Sequence, residues 1–132
     1  MSDLELTRQI IGAAIDVHRQ LGPALLEAVH EECLCYELTG KAIPFERQKP
    51  IPVVYNGAKL DCGYRADMVV FSRVIVEIKA ISALAPIHDS VMLTNLRLSG
   101  CKIGLLANFH SALLKDGIHG GVWKYEGPSK EN

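Results

Sequence analysis

The segment Tyr64–Ile81, YRADMVVFSRVIVEIKAI, carries charge where a buried strand should not. Met68, Val69, Val70 and Phe71 are apolar, as are Val74, Ile75, Val76, Ile78, Ala80 and Ile81. Runs this apolar read as strands covered on both faces. Asp67, Glu77 and Lys79 interrupt them. A buried charge is costly unless it is paired or holds a metal. Two acids and a lysine so placed point to a divalent metal beside a phosphate.

Spacing sharpens the chemistry. Glu77 and Lys79 are two apart on a strand and share one face. Asp67 lies on the preceding strand. If Val70 pairs with Val74, Asp67 falls opposite Glu77 on that face. This requires an odd-length connection or a bulge around Phe71–Arg73. A two-residue turn at Ser72-Arg73 would put Asp67 on the other face. Two carboxylates with one backbone carbonyl, that of Ile78, suit Mg²⁺ or Mn²⁺, which prefer oxygen ligands. Such a metal polarises a phosphodiester and acidifies a bound water. Lys79 then orients that water or stabilises charge developing on phosphorus.

These residues need elements to hold them. Ser2-x-x-Glu5 opens a first helix as a capping box. Leu4, Ile11, Ala14, Val17 and Leu21 recur at helical spacing with Ile10 beside them, and Gly22-Pro23 ends the run. A second helix is predicted over about Leu25–Leu38, with Leu26, Val29, Cys33 and Tyr36 on one face, closed by Gly40. FERQKPIPVVY reads as one strand near a sheet edge, interrupted by Pro50 and Pro52. Asn56-Gly57 signals a hairpin. Strands follow at about Lys59–Phe71 and Val74–Ile81, then a helix over about Ile87–Ser99 stopped at Gly100. KIGLLANF is a further buried strand and GGVWKY a short last one. The order α-α-β-β-β-α-β-(β) predicts a layered α/β domain, a mixed α+β sheet flanked by helices. One domain over residues 1–125 is expected, with a frayed tail at 126–132.

Bulk composition fits that reading. The chain has 132 residues, 48% hydrophobic and 22% charged, with a formal net charge of −1. This suits one soluble domain and argues against a broadly basic nucleic-acid wrapper, though not against a small nuclease. Cys33, Cys35, Cys62 and Cys101 form no C-x-x-C pair and read as reduced thiols of a cytoplasmic protein, not as a zinc site. MSDLELTRQI lacks the apolar core of a signal peptide, and no apolar run is long enough for a membrane span.

The blocks IIGAAIDVHRQLGPALLEAVHEECLCYEL, LDCGYRADMVV, VIVEIKAI and KIGLLANF resemble the GxxExxY proteins of the PD-(D/E)xK nuclease superfamily, in that family's order from about Ile10 to Trp123. The resemblance implies a restriction-endonuclease-like core and a divalent metal. Asp67 stands at the acid of the second core strand, and Glu77 and Lys79 at the E-x-K of the third. The acid of the naming motif matches Glu27, implying a ligand for a second metal or a metal-bound water. Ala24 and His30 stand where that motif has glycine and tyrosine. The resemblance also implies Q-x-x-x-Y on the following helix, where this chain has Val91 and Asn95. Residues 88, 91 and 95 share a face, so Val91 replaces a polar group there and His88 supplies some polarity. The implied function is metal-dependent hydrolysis of DNA or RNA. The alternative is a catalytically impaired module of the same fold that binds nucleic acid or protein, and a homodimer is a further expectation.

Simpler readings stand beside these. Asp67, Glu77 and Lys79 are also compatible with a structural ion-pair cluster at a sheet edge. Glu27, His30 and Glu31, at i, i+3 and i+4, read most simply as a solvated helix face. His18 reads as a helix-surface or partly packed residue, and His110 and His119 as loop residues. Arg65 suits either a phosphate contact or a salt bridge. Lys115-Asp116-Gly117 reads as a turn, and Trp123 and Tyr125 as core or interface aromatics rather than base-stacking ones.

Overall fold

The computed structural model describes residues 1–23, 26–111 and, for the backbone alone, 118–124. Its elements are α1 (Asp3–Leu21), α2 (Glu27–Gly40), β1 (Phe45–Pro50), β2 (Val53–Tyr55), β3 (Ala58–Leu60), β4 (Arg65–Val70), β5 (Val74–Lys79), α3 (Pro86–Ser99), β6 (Ile103–Asn108) and β7 (Ile118–Lys124). Five strands form a sheet in the order β1-β4-β5-β6-β7, and β2-β3 is a separate hairpin. Only the β5–β6 pair is parallel, so the sheet is mixed and the fold is α+β, as predicted. The expected tail, Tyr125 and the Lys115-Asp116-Gly117 turn lie outside the described residues.

Strand alternation explains the layers. Val74, Val76 and Ile78 of β5 join Ile103, Leu105 and Ala107 of β6 in a core covered by α1 and α2. Ile75 and Leu106 point the other way and pack with Met92, Leu96 and Leu98 of α3. Strands buried on both faces need apolar residues at nearly every position, which is why β5 and β6 read as continuous runs. Glu77 and Lys79 lie on the α3 side with Ile75, by the two-residue period.

Helix α3 approaches the sheet closely at Gly104. A Cβ built there would come within 2.8 Å of Met92 Cγ. Met92 is fully enclosed and has little room to yield. Gly104→Ala is expected to cost about 1–3 kcal/mol by overpacking. Thermal denaturation of that variant, alone and with Met92→Ala, will show whether relieving this contact recovers the loss.

Helix α1 buries the predicted Ile10, Ala14 and Val17 but leaves Leu4 and Leu21 exposed, and α2 buries a different stripe from the one predicted. On α1 the buried residues are Leu6, Thr7, Ile10, Ala13, Ala14, Val17 and His18, while Leu4 lies exposed. On α2 they are His30, Glu31, Leu34, Cys35 and Leu38, whereas Leu26 and Tyr36 are 76% and 80% exposed. Helix α2 carries two apolar stripes, and contact with the core selects one. The solvated-face reading of His30 and Glu31 is therefore overturned. His30 stacks on Phe109 with ring centroids 4.2 Å apart, and neither ring nitrogen has a partner among the described residues. His18 is also buried, with Nε2 2.7 Å from the Ser111 carbonyl.

Two strand boundaries also differ. FERQKPIPVVY divides into β1 and β2, which belong to different sheets, with Ile51 and Pro52 between them. The long strand over Lys59–Phe71 divides into β3 and β4, broken by residues 61–64. The Asn56-Gly57 hairpin forms, with φ of 50° and 78° at its two central residues, the left-handed pair that a tight hairpin requires. Strand β1 lies at the sheet edge, as its prolines indicate.

Strand β1 also ties down α2. Arg47 Nη2 donates to Glu31 Oε2 at 2.9 Å and Arg47 Nη1 to Glu32 Oε2 at 2.5 Å. Gln48 Nε2 donates to Glu31 Oε1 at 3.0 Å. Successive strand residues normally face opposite ways, but Gln48 has φ of 48°. That left-handed residue breaks the alternation, so both side chains reach the same glutamate.

Candidate active site

The site arises where β4 and β5 part company. Their antiparallel ladder runs Val70↔Val74, Val69↔Ile75 and Met68↔Val76 and then stops. Beyond that point β4 continues to pair with β1, through Lys49↔Ala66 and Pro50↔Arg65. Meanwhile β5 continues to pair with β6, through Ile78↔Ala107 and Lys79↔Asn108. The strands diverge because each follows its outer partner. The Ile78 N–H would have continued the ladder; it donates instead to Asp67 Oδ2 at 2.8 Å. In an extended strand one residue's N–H and C=O face the same edge, so the Ile78 carbonyl is directed to the same gap.

The predicted register holds. Residues 71–73 form a three-residue connection between Val70 and Val74, with Phe71 and Ser72 at φ of 55° and 57°. The next pair in register is Asp67 opposite Glu77, and both side chains line one cavity. Burial, and then the Asp67 charge, push the Glu77 carboxyl up to about 8, against which the Lys79 charge pulls it down.

Glu27 stands slightly apart. At the start of α2, its Oε2 accepts the Ala80 N–H at 3.1 Å, just beyond Lys79. The same stretch is held from the other side. Lys79 C=O accepts from the Phe109 N–H at 2.7 Å. Asn108 brackets Ile81, its Oδ1 accepting the Ile81 N–H at 3.1 Å and its Nδ2 donating to the Ile81 carbonyl at 2.9 Å. Among the described residues, no three His, Cys, Asp or Glu side chains form a ready-made metal cage. Asp67 and Glu77 are brought together; Glu27 is anchored on backbone.

A cavity of about 360 Å³ opens over this pair, lined by Asp67, Glu77 and Lys79 from the strands. Ile87, His88, Val91 and Asn95 of α3 line its other wall, so the predicted 88/91/95 face does meet the site. Val91 is 42% exposed there, an apolar group beside two acids. His88 caps α3: its Nδ1 accepts the Ala85 N–H at 2.8 Å. Arg65 is exposed at the cavity rim.

Two contributors escaped the sequence reading. Tyr64, just before β4, lines the cavity, and its hydroxyl donates to Asn95 Oδ1. Asn95 is buried, and its Nδ2 donates to Glu77 Oε1 at 3.4 Å. Asn95 was visible as a departure from a pattern, but not as a partner of Glu77. A polar residue between Met92 and Leu96, on the buried side of α3, was the legible signal. Tyr64 carried none, and neither did Asn108.

A mixed sheet whose diverging central strands present two carboxylates and a lysine to one cavity is an arrangement suited to metal-assisted hydrolysis of phosphate esters. Comparison with family models agrees: residues 4–120 match the model of the PD-(D/E)XK nuclease superfamily. The chain belongs to that superfamily. No curated protein and no solved structure matches it. No helix among the described residues is long and apolar enough to cross a membrane.

The residues fit a hard divalent cation. Two carboxyl groups share this cavity, and burial first, then the Asp67 charge, raises Glu77. A cation there supplies the missing counter-charge, through oxygen donors only.

Proposed function

We propose that this chain is a divalent-metal-dependent nuclease of the GxxExxY kind, hydrolysing phosphodiester bonds of DNA or RNA. The observation that carries the reading is the placement of Asp67 opposite Glu77, with Lys79, in the lining of one cavity. Asp67, Glu77 and the Ile78 carbonyl would hold Mg²⁺ or Mn²⁺. The bound ion would supply Lewis acidity toward the phosphate and acidify a water. Lys79, on the same face as Glu77, orients the attacking water or stabilises charge on the phosphoryl oxygens. Glu27 assists from the Ala80 side, as a ligand for a second ion or for a metal-bound water. Its present role is to hold the strand end beyond Lys79.

We also propose a cytoplasmic protein, a single domain over residues 1–125, and a homodimer using the exposed Leu26, Val29 and Tyr36 stripe. Its four cysteines are free. Sedimentation at several concentrations tests the dimer.

The test of function is cleavage of single- and double-stranded DNA and RNA with Mg²⁺ or Mn²⁺, wild type beside Lys79→Ala. Activity abolished by chelator and lowered about 100-fold or more in the variant supports the reading. The second reading is a binding module that has lost turnover, favoured by apolar Val91 at the cavity wall. It gains if wild type is inert while nucleic-acid binding survives both chelator and Lys79→Ala.

A further inference from the structure

Tyr64, Asn95 and Glu77 form a chain of hydrogen bonds from three separate elements. Tyr64 precedes β4, Asn95 lies in α3 and Glu77 in β5. The Tyr64 hydroxyl donates to Asn95 Oδ1, and Asn95 Nδ2 donates to Glu77 Oε1 at 3.4 Å. An amide has one acceptor end and one donor end. Turned over, Asn95 would aim its oxygen at the Glu77 carboxylate, which repels it. The ionised Glu77 carboxylate, which only accepts, therefore selects the amide orientation in which the N–H₂ group faces it, and the Tyr64 hydroxyl supplies the donor for Asn95 Oδ1. Asn95 is fully enclosed, so solvent cannot take over either bond.

We infer that Asn95 is a positioning residue for the candidate metal site, anchored at its oxygen by Tyr64, and that it holds Glu77 Oε1 so that the other oxygen is turned to Asp67 and the cation. The inference rests on the metal-site reading proposed above. Asn95 touches no substrate in this arrangement; it acts through Glu77. Preorganisation of this kind costs nothing at the moment a cation binds, whereas a free carboxylate must be ordered first.

The consequence is specific. Tyr64→Phe removes one hydroxyl and leaves the ring that packs beside Ile51 and Leu96. Asn95 Oδ1 then loses its donor, and the amide is held at its Glu77 end alone. Asn95→Leu removes the amide while keeping its approximate volume. Mn²⁺ affinity, measured by calorimetry on the full chain without nucleic acid, should fall about 3–10-fold in Tyr64→Phe and about 10–100-fold in Asn95→Leu. Melting temperature is followed in parallel. A merely structural role would lower the melting temperature and leave Mn²⁺ affinity untouched in Tyr64→Phe. In cleavage assays the defect should shrink as Mn²⁺ is raised, since the deficit is in cation binding.

Equal Mn²⁺ affinity in wild type and Tyr64→Phe overturns the inference while leaving the nuclease reading intact. Absence of Mn²⁺ binding by wild type overturns both. If Asn95→Leu does not fold, Tyr64→Phe alone decides.

Discussion

Glu77→Gln is expected to make the cation-free protein more stable than wild type at about pH 9, and to abolish cleavage. The Glu77 carboxyl is raised to about 8 by burial and by Asp67. A carboxyl raised on folding contributes stability that is fully present below its unfolded value and is lost as pH rises through the folded one. The window therefore runs from about pH 4.5 to about pH 8. Its size is on the order of 5 kcal/mol, at roughly 1.4 kcal/mol for each tenfold difference in proton affinity between the folded and unfolded chain. Glutamine keeps the shape and removes the charge, so this loss disappears from the variant. Urea denaturation in chelator at several pH values will show two curves that separate above about pH 5, with the variant higher. Mn²⁺ should recover wild type at alkaline pH and leave Glu77→Gln unchanged. Binding requires the ionised carboxylate, so Mn²⁺ affinity should rise roughly tenfold per pH unit up to about pH 8 and release a proton. Parallel curves in chelator would mean that Glu77 is not crowded against Asp67.

Phe109→Ala is expected to cost about 3–5 kcal/mol, enough to unfold a marginal domain near body temperature. Phe109 is among the largest fully enclosed side chains. It fills the floor between α1, α2 and β6, and lies against both His30 and His18, the latter with ring centroids 6.0 Å apart. Its backbone N–H also holds the Lys79 carbonyl. The cavity left by alanine would admit water to His30. Burial first, and the His18 charge second, hold His30 below its ordinary value. A histidine depressed on folding contributes stability above its unfolded value of about 6.5 and loses it as pH falls. The acid-side loss of stability should therefore flatten in Phe109→Ala as water relieves that burial. Phe109→Leu, which refills part of the space, should recover more than half of the stability and most of the acid dependence. Unfolding at pH 5 and pH 7 for the three proteins decides it.

These expectations separate what is local from what is not. β5 and β6 were legible because strands buried on both faces must be apolar almost throughout, and a charge within such a run stands out. Asp67, Glu77 and Lys79 were found that way. The two-residue period alone put Glu77 and Lys79 on one face; that Asp67 joins them was conditional on an odd-length connection, which the structure supplies as residues 71–73. The Asn56-Gly57 hairpin and the Ser2 cap, where the Glu5 N–H reaches Ser2 Oγ at 3.1 Å, were equally local.

Tertiary structure decided the rest. Helix α2 presents two apolar stripes, and helical period cannot choose between stripes of similar width. The sheet chose His30, Leu34 and Leu38 over Leu26, Val29 and Tyr36, and so buried a histidine that the spacing placed in solvent. The gap that seats the two carboxylates exists because β4 follows β1 while β5 follows β6, a competition among four strands that no segment contains. The meeting of Tyr64 with Asn95, 31 residues apart, depends on α3 crossing the sheet at Gly104. Residue types and their periods identified the reactive groups; the packing of helices on a splayed sheet determined which polar side chains would hold them.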